Sequence, residues 1–276
     1  METIELKYSG TNTYLIKGEK GLILFDTGWA GTLPAFCRAL GDVNVRVQDI
    51  DHIIISHFHP DHMGIAQDIA DLGPSVVIAD IQSKYIHSSD HIFEKDKTTR
   101  FKPIKDENII CISIDESRSF LEKLGIYGEL IYTPGHSDDS ISLWLDEGSL
   151  FVGDLNPLYE LELHKGTRTG ASWDRLLKLN PGTVYYGHAL TAHLKGPDDP
   201  VPLKSDDASS ADDPSRDIFL LVEKIMKFSD KGYSLDKIQK KTGADRGFIE
   251  DVIRMYLTHQ NVGVRGILDR IEIKNR

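Results

Sequence analysis

Short apolar runs alternate with longer amphipathic runs along the first 190 residues. Short runs rich in branched and aromatic residues predict strands, and apolar residues three or four positions apart predict helices. The alternation predicts a layered α/β (α+β) fold with mixed sheets covered by helices, rather than an all-β sandwich. The predicted strands are Glu5–Tyr8, Thr13–Lys17, Leu22–Asp26, His52–Ser56, Ser75–Ala79, Ile109–Ser113, Glu129–Thr133, Ser140–Leu145, Ser149–Val152 and Thr183–Tyr186, and the predicted helices are Leu33–Leu40, Met63–Asp71, Ile81–His87, Ser117–Leu124 and Ser172–Leu179.

The pattern changes near Gly196. Residues 196–216 are rich in Pro, Asp and Ser and have no apolar period, so they predict an exposed linker; an ordered loop on the main domain is the alternative. The predicted organisation is a first domain over 1–195, this linker, and a helical region over 217–276. Its helices are predicted at Asp217–Ser229, Leu235–Thr242 and Arg246–His259, the last with Ile249, Val252, Ile253, Tyr256 and Leu257 on one face.

Composition narrows the class of protein. The chain of 276 residues is 40% hydrophobic and 27% charged, as expected for a folded domain with a sizeable core. The sequence shows neither a signal-peptide pattern at its start nor an apolar run long enough to span a membrane, so a cytoplasmic location is expected. Two cysteines in apolar settings, Cys37 and Cys111, predict reduced and buried thiols.

Charge is unevenly distributed along the chain. The formal net charge is −11, which repels polyanions in general. Residues 217–276 contain 12 lysines and arginines against 9 acids, a balance of +3 that leaves −14 for residues 1–216. A local contact with nucleic acid therefore stays open for the C-terminal region alone.

Four residues able to bind metal follow one apolar run within six positions. Ile53–Ile55 leads into the run His57-Phe58-His59-Pro60-Asp61-His62. Neutral imidazoles and carboxylates suit zinc, iron or manganese, so the run predicts a metal site. The alternative is a polar loop whose histidines only form hydrogen bonds.

Three further β-like runs end in a residue of the same kind. His136 follows Tyr132-Thr133-Pro134-Gly135, whereas Asp154 and His188 each follow a strand and a glycine. A strand end places the next side chain at the rim of a sheet, and a glycine allows the backbone to lie close to a ligand. Four strand ends delivering ligands to one rim form a coherent metal site.

Together these motifs resemble the metallo-β-lactamase-fold hydrolase superfamily. HFHPDH, TPGHS, GD and GH occur in the order typical of that family, and TNTYLI and LFDTG resemble its N-terminal hairpin and the following turn. The resemblance covers about residues 1–195. It implies a four-layered αββα sandwich with a site at one edge and a small helical C-terminal extension. It also implies two divalent metal ions, with Zn²⁺ preferred and iron or manganese as alternatives.

The resemblance also implies a ligand set and a reaction. His57, His59 and His136 would hold one ion, Asp61, His62 and His188 the other, and Asp154 would bridge both. Two such ions can activate a shared water for attack on an ester-like carbonyl. Asp61 would orient that nucleophile or move its proton. A small thioester or lactone is the expected substrate, by analogy with glyoxalase II and lactonase relatives.

Other polar residues carry weaker signals. Asp26 and Ser56 can brace a ligand histidine, or merely form a turn. Tyr159 is predicted as a catalytic hydrogen-bond donor, by analogy with the lactonases. His164 and Arg168 can recognise an anionic group, although solvent-facing loop positions are favoured for both. The remaining histidines, for which a structural or surface role is expected, are His52, His87, His91, His193 and His259.

The C-terminal region allows a second interpretation. Ser234–Asp245 followed by Arg246–Tyr256 resembles a helix-turn-helix, and VGVRGILDRIEI would be its wing. Some relatives with this fold carry such a module and cleave RNA, which makes a phosphodiesterase or ribonuclease the first alternative. Asp245, Glu250 and Asp251 oppose phosphate binding, so packing on the hydrolase or in a homodimer is favoured. A non-catalytic metal-containing sensor or interaction protein is the second alternative.

Overall fold

Two mixed β-sheets form the framework of the first domain. The computed structural model describes residues 1–94, 100–194 and 214–258, with positions 264, 266–268 and 271. The first sheet has the order β1-β2-β3-β4-β5-β6, and the second has the order β11-β10-β9-β8-β7. The strands are β1 (Glu2–Leu6), β2 (Thr13–Lys17), β3 (Leu22–Phe25), β4 (His52–Ile54), β5 (Ser75–Ala79), β6 (Ile109–Ile112), β7 (Gly128–Tyr132), β8 (Ile141–Leu145), β9 (Ser149–Phe151), β10 (Thr183–Tyr185) and β11 (Ala192–His193).

Helices cover the outer faces of both sheets and form the C-terminal region. Six belong to the first domain: α1 (Leu33–Asp42), α2 (Pro60–Met63), α3 (Ala66–Ala70), α4 (Asp90–Glu94), α5 (Ser117–Lys123) and α6 (Arg168–Leu176). Three follow the predicted linker: α7 (Pro214–Asp230), α8 (Leu235–Thr242) and α9 (Arg246–Thr258). Short 3-10 helices include Asp80–Tyr85 and Leu158–His164.

Strand alternation explains the layers. Successive side chains point to opposite faces of a sheet. In β2, Tyr14 and Ile16 therefore join the core between the two sheets, whereas Leu15 joins the core beneath the helices of the first sheet. Trp173 of α6 packs with Leu150 on the outer face of the second sheet. This arrangement confirms the predicted αββα sandwich.

One predicted helix is broken in two. The pattern of Met63–Asp71 predicted a continuous helix, but α2 ends at Met63 and α3 begins at Ala66. Gly64 lies at the break, against the backbone of the loop after β3: a Cβ there would lie 2.3 Å from the Ala30 nitrogen and 2.7 Å from the Trp29 carbonyl carbon. The residue that leaves the helical conformation is Ile65 (φ −119°, ψ 13°), whereas the backbone of Gly64 stays helical (φ −62°, ψ −22°).

Gly64→Ala is expected to lower the free energy of unfolding by about 1–3 kcal/mol, because the added methyl group overpacks this contact. Urea unfolding of the metal-free protein measures the change. Gly41→Ala is the matched control, since its Cβ position in α1 is open; it should be neutral or stabilising by up to about 1 kcal/mol. Equal stability of the two variants would contradict the proposed packing at Gly64.

Other predicted elements need smaller corrections. The predicted helix Ile81–His87 is instead the 3-10 helix Asp80–Tyr85. Helix α6 begins four residues before the predicted Ser172, because the Thr167 hydroxyl caps it by accepting from the Gly170 amide. Strand β11 has only two residues and was not predicted.

The C-terminal helices share an apolar cluster of their own. Val222, Ile225, Ile238, Ile249 and Val252 are buried in it. Most of the predicted linker 196–216 lies outside the described residues, as does His259, and α7 already begins at Pro214. The predicted wing is wrong at its described positions 264, 266–268 and 271, which are helical.

The cysteines and the helix lengths can be compared with what the sequence predicted about buried thiols and membrane spans. Cys37 and Cys111 are free, as predicted, but both are exposed and the predicted burial is wrong. Cys37 lies on α1 outside its buried side, and Cys111 lies on the edge strand β6. Among the described residues, every helix is too short or too polar to cross a lipid bilayer.

Candidate metal centre

Four strands end at one edge of the sandwich. In the second sheet β7, β9 and β10 run in the same direction, because β8 is antiparallel to both β7 and β9 whereas β10 is parallel to β9. The first sheet meets this edge after β4, where the amide of Ile141 donates to the Ser56 carbonyl at 2.9 Å. The segments after these four strands, which include helix α2, carry all seven predicted metal ligands: His57, His59, Asp61, His62, His136, Asp154 and His188.

The structure brings these seven side chains into three overlapping groups. Within each group the candidate ligand atoms lie within 4.8 Å of one another. Two groups reproduce the sets implied by the family resemblance, and the third joins them through Asp154. The groups are His57, His59 and His136; Asp61, His62 and His188; and His57, His62 and Asp154.

Asp154 faces both halves of the centre. Its Oδ2 lies 3.5 Å from His136 Nε2 in one half. Its Oδ1 lies 3.1 Å from His62 Nε2 and 3.5 Å from His188 Nε2 in the other. One carboxylate thus presents a different oxygen to each group, which is the placement expected of a bridging ligand.

Glycines make this close approach possible. Gly153, which precedes Asp154, has a φ of +55° and lies against the Ser56 side chain, whose Cβ is 2.6 Å from the position of an added Cβ. At Gly187, which precedes His188, an added Cβ would lie 2.6 Å from Asp154 Oδ1 and 2.8 Å from His62 Cε1. Any larger residue at Gly187 would therefore fill the space between the two candidate ligands.

One buried carboxylate braces histidines of both halves. Asp26 Oδ2 lies 2.9 Å from His62 Nδ1 and accepts from the Ser56 hydroxyl at 2.8 Å. Asp26 Oδ1 accepts from the Ser56 amide at 2.7 Å, and the Ser56 hydroxyl lies 3.0 Å from His57 Nδ1. Metal-binding histidines usually use their second ring nitrogen in this way, which leaves Nε2 for the ion. The contacts support the bracing role predicted for Asp26 and Ser56 over a simple turn.

Polar atoms without hydrogen-bond partners converge on the centre. His57 Nε2, His62 Nε2 and Asp154 Oδ1 are all buried, and none has a hydrogen-bond partner within the described part of the chain, because the 3.1 Å approach of His62 Nε2 to Asp154 Oδ1 lacks the geometry of a hydrogen bond. Buried polar atoms in folded proteins are nearly always satisfied. An imidazole nitrogen, a second imidazole nitrogen and a carboxylate oxygen around one space are the donors that zinc, iron or manganese accept. The residues therefore fit a divalent cation.

The electrostatics of the first group agree with that fit. Burial lowers the pKa of His136 to about 4 and holds the pKa of His57 well below its usual value, so both rings are neutral and keep a free lone pair. Burial alone would lower the pKa of His62, but Asp154, Asp26 and Asp61 outweigh it and raise that pKa. Burial would likewise raise the pKa of Asp61 and Asp154, but the facing histidines hold both carboxylates ionised.

The other predicted site residues lie outside these three groups. Tyr159 is half-buried on the 3-10 helix Leu158–His164, and its catalytic role stays a prediction. His164 is buried, so its expected solvent exposure is wrong: its carbonyl accepts from both the amide and hydroxyl of Thr167, which folds this segment inward. Arg168 is exposed, as expected, and pairs with Asp138.

The remaining histidines make local contacts. His52 packs against the ring of Phe120, and His193 Nδ1 lies 3.3 Å from the Thr183 hydroxyl. His87 Nδ1 lies 2.9 Å from Asp90, and neither His87 nor His91 belongs to a candidate metal group among the described residues. These positions support the structural and surface roles expected from the sequence.

Sequence reasoning missed three side chains that fix the loops of the centre. Asp139 accepts from the Phe58 amide at 2.6 Å, and Thr11 donates to the Asp61 carbonyl at 2.8 Å. Asn12 donates to the carbonyls of Tyr186 and Ala189, on either side of His188. Thr11 and Asn12 lie in the TNTYLI segment and Asp139 lies two residues after TPGHS, but their bonds to backbone groups leave no pattern in the sequence.

Comparison with known proteins places this geometry in a family. Lactamase-like protein nscB of Neosartorya fischeri is 30% identical over 147 residues, which are 52% of this chain and 37% of that protein. Beta-lactamase-like protein 2 homolog of Drosophila melanogaster is 28% identical over 189 residues, 65% of this chain and 58% of that protein. The match thus spans between about a third and three fifths of these relatives' lengths.

Solved structures show the same fold at low identity. The metallo-beta-lactamase superfamily protein ST1585 from Sulfolobus tokodaii matches 69% of this chain and 81% of its own, with 19% identity and a TM-score of 0.51. The metallo-beta-lactamase family protein TTHA1429 from Thermus thermophilus matches 99% of this chain and 93% of its own, with 18% identity and a TM-score of 0.51. The sequence profile of the metallo-beta-lactamase superfamily matches residues 7–188, about two thirds of the chain and all seven candidate ligands. The chain therefore belongs to the metallo-beta-lactamase superfamily, a superfamily of metal-dependent hydrolases.

Proposed function

We propose that this protein is a dinuclear metal-dependent hydrolase that cleaves an ester-like carbonyl compound, preferably a small thioester or lactone. His57, His59 and His136 would hold one ion, Asp61, His62 and His188 the other, and Asp154 both. The observation that carries the proposal is the placement of Asp154, whose two oxygens face the two groups of histidines. Zinc is the preferred ion, and iron and manganese accept the same ligands.

The two carboxylates of the centre have different environments, which assigns them different roles. The bound ions would supply Lewis acidity and make a water acidic enough to react near neutral pH. The Asp154 side chain is 4% exposed, whereas that of Asp61 is 32% exposed and lies 2.8 Å from His188 Nε2. Asp61 is thus the carboxylate that water and substrate can reach. It orients the attacking water, accepts its proton and returns that proton to the leaving group.

Charge supports a small carbonyl substrate over a long polyanion. Residues 1–216 carry a net charge of −14, and Arg168, a candidate for binding an anionic group, is occupied by Asp138 and the Tyr132 hydroxyl. A polyanion approaching this domain would be repelled at long range, whereas a small neutral ester, thioester or lactone would not. A cytoplasmic location and a homodimer through the C-terminal helices are further parts of the proposal, testable by cell fractionation and by sedimentation.

One observation favours a second candidate, a phosphodiesterase or ribonuclease that holds nucleic acid through its C-terminal region. Helix α8 carries Lys237, Lys240 and Lys241, and its one acid, Asp236, pairs with Arg246. However, Lys237 Nζ lies 3.5 Å from the centre of the Tyr233 ring, so part of this charge already has a local partner. The second candidate is therefore the weaker one.

A substrate panel with metal analysis separates these functions. Metal-loaded protein is assayed with acyl thioesters, lactones, phosphodiesters and RNA, and binding of RNA to the full chain is measured at rising salt. We expect hydrolysis of a thioester or lactone, removed by chelation and restored by added metal, with little retention of RNA. Cleavage restricted to phosphodiesters or RNA would establish the second candidate. Two bound ions without turnover of any substrate would indicate a non-catalytic metal protein.

A further inference from the structure

We propose that Ser172 and Trp173, neighbours on helix α6, are positioning residues that hold His136 and Asp154 at the spacing that a bound ion requires. Each of the two side chains fastens the segment of one of these ligands to the same helix. The inference rests on the proposed dinuclear centre, and it assigns neither residue a contact with substrate or ion.

Ser172 secures the segment that carries His136. Its side chain is fully buried, and its hydroxyl donates to the Pro134 carbonyl at 2.7 Å. Gly135 adds a second contact with the helix, because a Cβ there would lie 2.7 Å from both the Cα and the amide nitrogen of Thr169. Helix α6 therefore directly contacts the two residues that precede His136.

Other residues on this face of the helix extend the contact. Arg168 pairs with Asp138, and Arg175 Nη2 donates to the Tyr132 carbonyl at 2.6 Å. Arg168, Ser172 and Arg175 are four and three positions apart, so they share one helix face, which follows the ligand segment on both sides of the histidine. Both arginines are exposed and their contacts are screened by water, whereas that of Ser172 is made in the interior.

Trp173 secures the segment that carries Asp154. Its ring is fully buried, and its indole Nε1 donates to the Asn156 carbonyl at 2.8 Å, two residues after the bridging carboxylate. On the other side of Asp154, Gly153 lies against the Ser56 side chain. Asp154 is therefore held between the segment that follows β4 and helix α6.

The two fastened ligands stand at a separation that suits a metal ion. Asp154 Oδ2 lies 3.5 Å from His136 Nε2. Tetrahedral coordination with bonds of about 2.1 Å places two ligand atoms about 3.4 Å apart. Because consecutive residues of one rigid helix hold the two segments, the spacing is set before an ion binds. Loosening either attachment should therefore lower the affinity for metal.

Two substitutions have different expected effects on the two ions. Ser172→Ala frees only the segment of His136, so the affinity for the ion of the first group should fall about two- to tenfold and that of the second should stay. Trp173→Phe removes the N–H donor, and since Asp154 faces both groups, both affinities should fall about two- to tenfold. Competition of the full chain with a chromophoric chelator for Zn²⁺ measures both affinities, and His59→Ala identifies the first site.

Ser117→Ala is the matched control for Ser172→Ala. Ser117 is also a buried serine on a helix, and its hydroxyl accepts from the Leu130 amide at 3.0 Å, in the middle of β7 rather than after its end. Both variants should unfold at lower urea concentration than wild type. Only Ser172→Ala should lose affinity for Zn²⁺ and alter the absorption spectrum of protein with both sites filled by Co²⁺.

A measurement on the unaltered protein tests the Trp173 attachment without a substitution. If the bond to Asn156 favours metal binding, metal binding must strengthen that bond in return. Exchange of the Trp173 indole proton with solvent, followed by NMR, should therefore slow when Zn²⁺ is added. The indole proton of Trp144, which packs in the same apolar cluster, should slow less. The signal missing from Trp173→Phe assigns the resonance.

The possible outcomes separate this inference from the proposed reaction. Wild-type affinities for Zn²⁺ in both Ser172→Ala and Trp173→Phe would overturn the positioning roles and leave the reaction standing. An equal loss of affinity in Ser172→Ala and Ser117→Ala would also overturn the role of Ser172, because it would reflect stability alone. Equal slowing of the Trp173 and Trp144 indole protons would overturn the role of Trp173. The expected pattern of affinities without turnover of any substrate would overturn the reaction and leave the positioning roles intact.

Discussion

Asp154→Ala is expected to abolish hydrolysis and to lower the affinity for both ions by more than about a hundredfold. Removing a group that only orients a metal ligand already costs about 10–100-fold in affinity, and Asp154 faces both groups of histidines directly. Its loss would also leave the positive charge of two ions without the buried carboxylate between them. Metal content by elemental analysis, metal affinity by competition with a chelator, and turnover of the substrate found in the panel measure the effect.

Companion variants locate the cause of that loss. His59→Ala should remove mainly the ion of the first group, because His59 belongs to one candidate group whereas Asp154 lies between two. Asp154→Asn keeps the size and one oxygen but removes the charge, so its metal affinity should lie between those of wild type and Asp154→Ala. His87→Ala, which alters an exposed histidine outside the candidate groups, is the control and should keep both ions and full activity. Activity that survives both Asp154→Ala and His59→Ala would refute the assigned centre.

Elements that depend on a local sequence pattern were predicted correctly, and those that depend on other features were not. Strands β2 (Thr13–Lys17) and β5 (Ser75–Ala79) were predicted residue for residue, because apolar side chains run almost unbroken along both and turn residues bound them. The break between α2 and α3 could not be predicted, since it falls at Ile65, an apolar residue that fits the helical pattern of Met63–Asp71. Likewise, the burial of His164 depends on the turn made with Thr167.

Some residues of the candidate centre were likewise predictable from a local motif, and others depend on the fold. The run from His57 to His62 is a metal signal by itself, because four potential ligands occur within six residues. Its three partners were indicated by their places after strand-like runs and glycines, but the division of the seven ligands between two ions came only from the family resemblance, since the topology of the second sheet decides which strand ends meet. Asp139 and Thr11 stayed hidden because each binds a backbone group of the ligand run, and such a contact leaves no pattern in sequence.

Asp26 is a further example: a sequence motif marks the residue, but its contacts with Ser56 and His62 depend on the fold. The LFDTG segment left a turn and a brace open for it, and the contacts support the brace: Asp26 accepts three hydrogen bonds from the metal-binding segment and has a φ of +62°. Asp and Asn adopt this left-handed backbone more readily than most residues. Asn can therefore replace Asp26 with little backbone strain, which isolates the role of the carboxylate.

Asp26→Asn is expected to lower metal affinity about 10–100-fold, with a matching loss of turnover at limiting metal. An amide offers one oxygen in place of two, and its NH2 group would face the donors Ser56 and His62. The ring of His62 would lose the acceptor that fixes its Nδ1 proton, and the Ser56 hydroxyl that reaches His57 would lose its anchor. Both halves of the centre should weaken, although Asp26 binds no ion itself.

Two comparisons distinguish this bracing role from a general loss of stability. Ser56→Ala removes the link to His57 but leaves the bond from Asp26 to His62, so it should weaken mainly the ion of the first group. The spectrum of cobalt-substituted protein, which reports ligand geometry at each site, should change in Asp26→Asn even when both sites are filled by excess metal. If saturating metal restores wild-type turnover and an unchanged cobalt spectrum, Asp26 only tightens binding. An unaltered metal affinity would show that His57 and His62 are held in place by the packing of the sandwich edge alone.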